Sequence, residues 1–346
     1  MLLAVALPAL ALAADPRCAI CGKPITSAYL QVEGSTVHPE CFRCIHCGKP
    51  IQGEFVMRGE RRYHPECALE LLDKCGVCGR PLAGEFYKKD DASYCLPCYT
   101  DKIADRCVLC GEPILDQTYP GNGWGDFWHA QCADRLVRCA SCDRAIAPRD
   151  VPRASLDDGR RVCPVCRREG IVGASEARAA VERVASEIRR DGFAVDASDV
   201  AVSLCDRKEL ARLTGSQTTS GHTTFQTTLT NGAVTGERIS IQILTHLRGD
   251  RFDAVAAHEL THVFLHREVK GELPAWLEEG LCNYAASLLL KRRSGTLAEV
   301  TLSAMEEDPD PDYGEGYRRV RKWIEGRSLS GLLYELRMTG AAPRGM

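Results

Sequence analysis

The chain shows two kinds of hydrophobic pattern. From about residue 175 onward, apolar residues recur with the period of a helix or a strand, whereas residues 18–166 carry only short apolar runs between cysteines. The segment that begins at Ser175 has a stripe built on Val181, Val184 and Ile188, which predicts an amphipathic helix ending at Asp191-Gly192. The second half therefore has the pattern of an ordinary folded domain.

Two further segments of this half predict β-strands. Val200–Cys205 is a short apolar run, and Arg238–Leu244 alternates isoleucines with polar residues. The threonine-rich residues 214–230 between them predict a hairpin or a loop. We expect Arg238–Leu244 to be an edge strand that can pair with an extended peptide.

Two more helices follow these strands. Ala254–Arg267 predicts a helix with Asp253 as its N-cap, and a second helix is expected to start at Pro274 and to continue through Leu289. Strands and helices in this order predict an α+β domain over residues 169–340.

Composition narrows the classes of protein. The chain has 346 residues, a formal net charge of −3 and 19 cysteines. The charge disfavours general nucleic-acid binding, and no apolar run reaches the ~20 residues that a membrane-spanning helix needs. Seventeen cysteines lie between Cys18 and Cys166, and the odd total argues against complete disulfide pairing.

The spacing of these cysteines predicts five zinc sites of one design. Each site combines two pairs whose members are separated by two residues, so that two knuckles complete a tetrahedron around one ion. Three histidines stand where a cysteine is missing, which a disulfide framework would not require. The twenty ligands, module by module, are Cys18, Cys21, His38 and Cys41; Cys44, Cys47, His64 and Cys67; Cys75, Cys78, Cys95 and Cys98; Cys107, Cys110, His129 and Cys132; Cys139, Cys142, Cys163 and Cys166.

These sites are closed, with four protein ligands each, so the modules are expected to serve structure or partner recognition. The first two modules are separated only by Phe42-Arg43 and together resemble a LIM domain, over residues 15–68. The other three, over residues 69–168, are LIM-like zinc ribbons. We expect short β-hairpins throughout, with metal binding supplying folding energy.

The N-terminal residues 1–14 resemble a signal peptide. They are apolar and end in small residues, which favours cleavage after Ala13, although no basic residue precedes the apolar run. Secretion or export to a periplasm is therefore expected, and a cytoplasmic location if the start is misassigned.

The helix over residues 254–267 carries an HExxH motif. Residues i and i+4 lie on one helix face, so His258 and His262 can bind one zinc ion, with Glu259 beside them as a base for an attacking water. A carboxylate from the following helix, Glu278 or Glu279, would complete a His2Glu site. This segment resembles the W-L-x-E-G motif of gluzincin peptidases, which implies Glu279 as the third ligand.

Smaller predictions concern neighbouring residues. Asn283, one turn after Glu279, is a candidate to hold a ligand imidazole through its free N–H. His266 is too far along the helix to share the metal and is expected at the surface or in a supporting role. Cys205 and Cys282 are expected to be buried and unreactive.

The combination of motifs resembles the DA-one family of LIM-containing peptidases. The matching segments are the cysteine pattern of residues 18–67, Ala257–His262, Glu278–Cys282 and Asp312–Arg318. The resemblance implies a zincin-like zinc metallopeptidase that cleaves protein substrates, with one catalytic and about five structural zinc ions. It also implies that the array guides or restrains the catalytic domain through a protein partner or substrate.

Three hypotheses follow for the whole chain. The preferred one is metal-assisted peptide hydrolysis, endopeptidase rather than exopeptidase, with Glu259 as base and Tyr313, Tyr317 or Tyr284 stabilising the oxyanion. The second is a non-catalytic adaptor with a vestigial metal site. The third is a latent enzyme whose zinc array covers the cleft.

Overall fold

The protein is described by a computed structural model that covers residues 2–7, 16–230 and 233–346. The predicted cleavage site after Ala13 lies outside these residues. The chain forms two compact units, one up to Asp105 together with Pro113–Leu115, and one made of Arg106–Glu112 and Asp116–Met346. The fourth and fifth cysteine modules therefore belong to the second unit, although by composition they resemble the first three.

The first unit is built from short antiparallel strands and helical turns. A five-stranded sheet has the order β3-β2-β1-β4-β5, and β6 and β7 form a separate hairpin. Its elements are β1 (Leu2–Leu7), β2 (Tyr29–Val32), β3 (Ser35–Val37), β4 (Gly53–Arg58), β5 (Arg61–Tyr63), α1 (Pro65–Glu70), β6 (Phe86–Lys89), β7 (Ala92–Cys95) and α2 (Leu96–Cys98).

Strand β1 joins the first two modules. Its first half, Leu2–Ala4, pairs with β4, and its second half, Val5–Leu7, pairs with β2. The core under this sheet includes the fully buried Ile51 and Phe55. The predicted N-terminal array of short hairpins is thus confirmed for this unit.

The second unit begins with the last two modules and continues as a mixed α/β region. Its elements are α3 (Val151–Ala154), α4 (Pro164–Glu169), α5 (Ala174–Ile188), β8 (Val200–Cys205), α6 (Arg207–Thr214), β9 (Gly221–Thr230), β10 (Ala233–Leu244), α7 (Gly249–Glu268), α8 (Ala275–Lys291), α9 (Thr296–Glu307), α10 (Gly314–Glu325) and α11 (Leu329–Thr339).

The three-stranded sheet of this unit has the order β8-β10-β9. Strand β10 runs parallel to β8 and antiparallel to β9, so the prediction that Arg238–Leu244 is an edge strand is wrong. Its buried isoleucines, such as Ile241, reflect a central position. The threonine-rich strand β9 lies at one edge of this sheet, and its second half is exposed.

Helix α7 starts earlier than the sequence predicts. It begins at Gly249, so Asp253 lies within the first turns and is not the N-cap. Its carboxylate is buried and accepts two hydrogen bonds from Arg183, at 2.7 and 2.8 Å. Asp253 therefore anchors α5 to α7, and its charge is balanced inside the fold.

Close packing of α8 on α10 places the segment around residue 313 near α8. A Cβ atom on Gly280 would lie 2.5 Å from the backbone of Gly316, and one on Gly316 would lie 2.2 Å from the carbonyl oxygen of Trp276. The two helices thus approach backbone to backbone, which only glycine permits here. Over the part of the chain described, no helix is long and apolar enough to cross a membrane.

Candidate metal centres

The predicted cysteine and histidine ligands come together in five groups of four. In each module the four ligand atoms lie within 4.8 Å of one another, which fits a structural Zn²⁺ ion. Five Cys/His zinc-binding clusters are therefore present, one in each repeated module.

Backbone N–H groups of the modules face the sulfur atom of the first cysteine and stabilise its thiolate form. The N–H groups of His38 and His64 point at the sulfur atoms of Cys18 and Cys44, both at 3.4 Å. In the third module, the backbone N–H of Cys78 is the main reason that the pKa of Cys75 falls to about 6. A thiol with this pKa is largely ionised at neutral pH, as metal binding requires.

The histidine ligands His38 and His64 have the same orientation. Nδ1 of His38 faces Cys21 at 3.4 Å, and its Nε2 lies 3.2 Å from the carbonyl oxygen of Pro24. His64 repeats this arrangement with Cys47 and Pro50 at 3.3 and 3.2 Å. The Nε2–H group donates to the carbonyl, so Nδ1 is the ligand atom.

The fifth module differs from the others in burial. All four of its cysteines are buried, whereas Cys21, Cys47, Cys78 and Cys110 are exposed in the other modules. Its sulfur cluster packs with Ile146, Val162 and Leu297 of α9. The fifth site is therefore part of a hydrophobic core.

Backbone contacts tie the fifth module to the segment that leads into α7. The hydroxyl of Ser141, between two of its ligands, accepts a hydrogen bond from the N–H of Arg248 at 3.2 Å. Ile171 donates to the carbonyl of Leu247 and accepts from His246, both at 2.9 Å. Gly170 is also in this contact, since a Cβ there would lie 2.6 Å from the carbonyl oxygen of His246.

Side chains reinforce the same junction. Arg160 donates to the carbonyl and hydroxyl of Thr245, at 2.8 and 2.9 Å, and pairs with the buried Asp158 at 2.7 Å. The indole N–H of Trp124 in the fourth module donates to the carbonyl of Cys142 at 2.8 Å. The Trp124 side chain therefore takes part in internal packing.

A different centre lies between α7 and α8, where three nitrogen and oxygen atoms converge. Nε2 of His258 lies 3.1 Å from Oε2 of Glu279, and Nε2 of His262 lies 3.6 Å from the same oxygen. The two Nε2 atoms are 3.3 Å apart. Ligand atoms on a tetrahedral zinc ion, at 2.0–2.1 Å from the metal, are about 3.3 Å from one another.

The outer nitrogen atoms of both imidazoles already have partners. Nδ1 of His258 lies 2.9 Å from Oδ1 of Asn283, and Nδ1 of His262 lies 3.0 Å from Oε1 of Glu278. Both partners are acceptors, so Nδ1 carries the proton and each Nε2 presents a lone pair to the centre. Asn283 thus has the contact that the sequence predicted.

The third converging group is the carboxylate of Glu279, whose Oε2 faces both imidazoles. Its Oε2 atom is buried and accepts no hydrogen bond. Three acceptor atoms that face one another in this way fit a bound cation, and the N2O donor set fits zinc.

The adjacent residues Glu278 and Glu279 make different contacts with the two imidazoles. The Glu278 carboxylate contacts the outer nitrogen of His262, while the Glu279 carboxylate faces the convergence point of both Nε2 atoms. Glu279 therefore has the geometry of a ligand, and Glu278 orients His262.

Glu259, the predicted base, follows His258 directly in the chain and is buried. Its Oε2 accepts a hydrogen bond from the hydroxyl of Thr223 on β9 at 2.7 Å. A Cβ on Gly221, two residues earlier, would lie 2.6 Å from its Oε1. The start of β9 thus forms a cradle for this carboxylate, which the threonine-rich pattern did not reveal.

The three predicted tyrosines have different surroundings. The ring of Tyr313 is stacked on that of His258, with centroids 5.9 Å apart. Burial, with further contributions from Glu279 and Glu259, raises the pKa of Tyr313, so its hydroxyl stays protonated. The hydroxyl of Tyr317 instead donates to Glu306 at 2.8 Å, and Tyr284 has its pKa raised by burial and lies near Asp191.

His266, Cys205 and Cys282 are the remaining residues for which the sequence predicted a supporting or structural role. His266 stacks on Phe225 at 4.0 Å and contacts Glu237 at 2.6 Å in an exposed position. Cys205 and Cys282 are both buried, and burial raises the pKa of Cys282 to about 12. Neither thiol is a nucleophile in this state.

Comparison with known proteins adds one family. The LIM domain model matches residues 18–60 and 46–103, so the second match extends into the third module. LIM domains commonly mediate protein interactions, so this match and the cysteine clusters indicate a zinc-binding protein-interaction module in the N-terminal array. A search of curated proteins found no match to this chain.

Proposed function

We propose that this chain is a zinc-dependent metallopeptidase that hydrolyses peptide bonds of protein substrates. The observation that carries the proposal is the convergence of His258, His262 and Glu279, whose facing atoms lie 3.1–3.6 Å apart while both Nδ1 atoms are held by other partners. The resemblance of the HExxH and Glu-Glu-Gly segments to the DA-one family supports the same reaction.

Zinc held by these three ligands would supply Lewis acidity to a scissile carbonyl and to a water molecule. Glu259 is the general base in this proposal. Its carboxylate takes a proton from the attacking water and returns it to the nitrogen of the leaving amine. The hydrogen bond from Thr223 fixes the rotamer of Glu259 and leaves Oε1 as the atom that accepts the proton.

Tyr313 is the group that stabilises the developing negative charge. Its hydroxyl remains a donor because its pKa is raised, and its ring is held against His258. Tyr317 is a weaker candidate, since its hydroxyl already donates to Glu306. A donor aimed at the carbonyl oxygen contributes most when charge accumulates there.

The edge strand β9 is the proposed site for the substrate backbone. Thr223 places the beginning of this strand beside the base, and among the described residues β9 has no strand partner on its outer side. An extended peptide can therefore add to the sheet as a further strand. This geometry favours cleavage within a chain over cleavage at its end.

The experiment that tests the function compares Glu259→Gln with the wild-type protein on an unfolded protein substrate. We expect the rate to fall by ~10²–10⁴-fold, because Gln keeps the shape but cannot accept the proton. Glu272→Gln, at an exposed position two residues before Pro274, is the matched control and should retain full activity. Unchanged cleavage by Glu259→Gln would sink the mechanism.

The LIM match favours the second hypothesis, that of a non-catalytic adaptor. Measuring the zinc content during treatment with a chelator distinguishes the enzyme from the adaptor. A protein with an open site should lose one zinc ion to a chelator well before the four-coordinate cysteine sites lose theirs. If all zinc ions were released at similar rates and the protein had no peptidase activity, the adaptor hypothesis would be supported.

A further inference from the structure

Asn283 on α8 makes two hydrogen bonds that connect different parts of the candidate peptidase site. Its Oδ1 lies 2.9 Å from Nδ1 of His258, and its Nδ2 donates to the backbone carbonyl of Tyr313 at 3.0 Å. The side chain is 8% exposed, so water does not compete freely for either contact. One amide therefore joins a metal-ligand residue to the segment that carries the tyrosine.

The two contacts fix each other. The Tyr313 carbonyl can only accept a hydrogen bond, so it must face the NH2 group of Asn283. The amide oxygen then faces His258, which places the imidazole proton on Nδ1 and the lone pair on Nε2, toward Glu279. The orientation of the His258 ring toward Glu279 is thus linked, through Asn283, to the position of residue 313.

The segment before Tyr313 is held from its other side. Oδ1 of Asp310 accepts from the N–H groups of Asp312 and Tyr313, at 2.9 and 3.0 Å. The Tyr313 ring is also stacked on His258, at an angle of 11° between the planes. His258, Asn283 and Tyr313 therefore form a closed ring of contacts in which each member restricts the other two.

We propose that Asn283 is a positioning residue that couples metal binding at His258 to the placement of Tyr313. Metal binding would fix the position of the His258 ring. Because Asn283 contacts both His258 and the carbonyl of Tyr313, the backbone of residue 313 would then also be restricted. The inference rests on the proposed function for its catalytic meaning. The coupling itself is measurable without peptidase activity.

Hydrogen exchange of the wild-type protein gives the first measurement. Zinc loading should slow amide exchange in residues 312–317 at least ~10-fold, since fixing His258 adds a restraint to those that Asp310 already supplies. Equal exchange with and without zinc would overturn the coupling.

Asn283→Asp gives the sharper test, because it is nearly isosteric and replaces the NH2 donor with a charged carboxylate oxygen that cannot bond the Tyr313 carbonyl. We expect its zinc affinity to stay within about threefold of the wild-type value, since a carboxylate still accepts from His258. Exchange in residues 312–317 should rise ~10-fold in the zinc-loaded protein. With a protein substrate, kcat should fall toward that of Tyr313→Phe, with KM within about twofold.

Asn283→Ala removes both contacts and should also weaken zinc binding by ~10–100-fold. Thr301→Ala, at a buried polar position on α9 where the hydroxyl bonds within its own helix, is the control for general loosening and should change neither quantity. Unaltered exchange in Asn283→Asp overturns the positioning role even if peptidase activity is present. Normal coupling in a protein without peptidase activity overturns the proposed function alone.

Discussion

The fifth cysteine module and the first one have the same spacing within their ligand pairs, but they belong to different units of the molecule. In the first module, Cys21 is exposed and the site belongs to a small sheet of short strands. In the fifth module all four cysteines are buried, and the hydroxyl of Ser141 and the backbone of Ile171, just after the module, are hydrogen-bonded to residues 246–248, directly before α7. A zinc knuckle thus serves as a separate module in one place and as part of a larger core in another.

The difference teaches that ligand spacing defines the metal site but not the structural unit to which it belongs. The contacts that include the fifth module in the second unit come from residues between the ligands, such as Ser141 and Arg160. Removing residues 1–170 would delete those contacts and disturb the start of the HExxH helix. A division after Asp105 keeps them intact.

The largest expected effect on thermal stability comes from replacing one zinc ligand, in the fifth module or in the first. Cys166→Ser should lower the Tm of the second unit by about 10 °C or more, because loss of the buried metal site removes folding energy from that unit. Cys21→Ser should leave the same transition within about 2 °C. Differential scanning calorimetry measures both, and equal shifts would mean that the two modules do not differ as described.

A second pair of variants tests the close contact at Gly170. Gly170→Ala places a methyl group about 2.5 Å from the carbonyl oxygens of Cys166 and His246, and overpacking of this kind costs about 1–3 kcal/mol. Gly84→Ala in the first unit meets nothing within 4 Å and should be nearly neutral. Urea unfolding followed by far-UV circular dichroism compares them, and a neutral Gly170→Ala would argue against the close junction.

The smallest expected effect concerns the third position of a knuckle. Ser141→Ala leaves the N–H of Arg248 without its partner, at a cost of about 1–2 kcal/mol. His46→Ala at the equivalent position of the second module removes only an exposed contact with Glu70, and should change the unfolding free energy by less than about 0.5 kcal/mol. Comparable losses in both variants would contradict the comparison.

The sequence predicted the ligand groups well because metal coordination demands fixed spacing. Each pair separated by two residues forms its own knuckle, so the five groups followed from local geometry alone. Helices and strand β8 were also predictable, since apolar periodicity reports their buried faces.

Other features depend on contacts between distant segments and left no local signal. The alternation in Arg238–Leu244 indicated a strand but not its neighbours, so the edge was assigned to the wrong strand. Thr223 meets Glu259 across 36 positions of the chain, and a threonine-rich segment alone does not identify it. Glu278 and Glu279 are adjacent in sequence, and only the three-dimensional positions of both imidazoles separate their roles.

The composition of strand β9 has a consequence for the behaviour of the protein in concentrated solution. The strand has neither a charged residue nor a proline along ten positions, and Leu229 in its outer half is 62% exposed. Folded proteins usually protect such an edge with lysine or proline, because unpaired strands promote aggregation. Pairing between copies of the protein would occupy the same backbone groups as an extended peptide. A peptide bound along β9 should therefore also act as a solubilising agent.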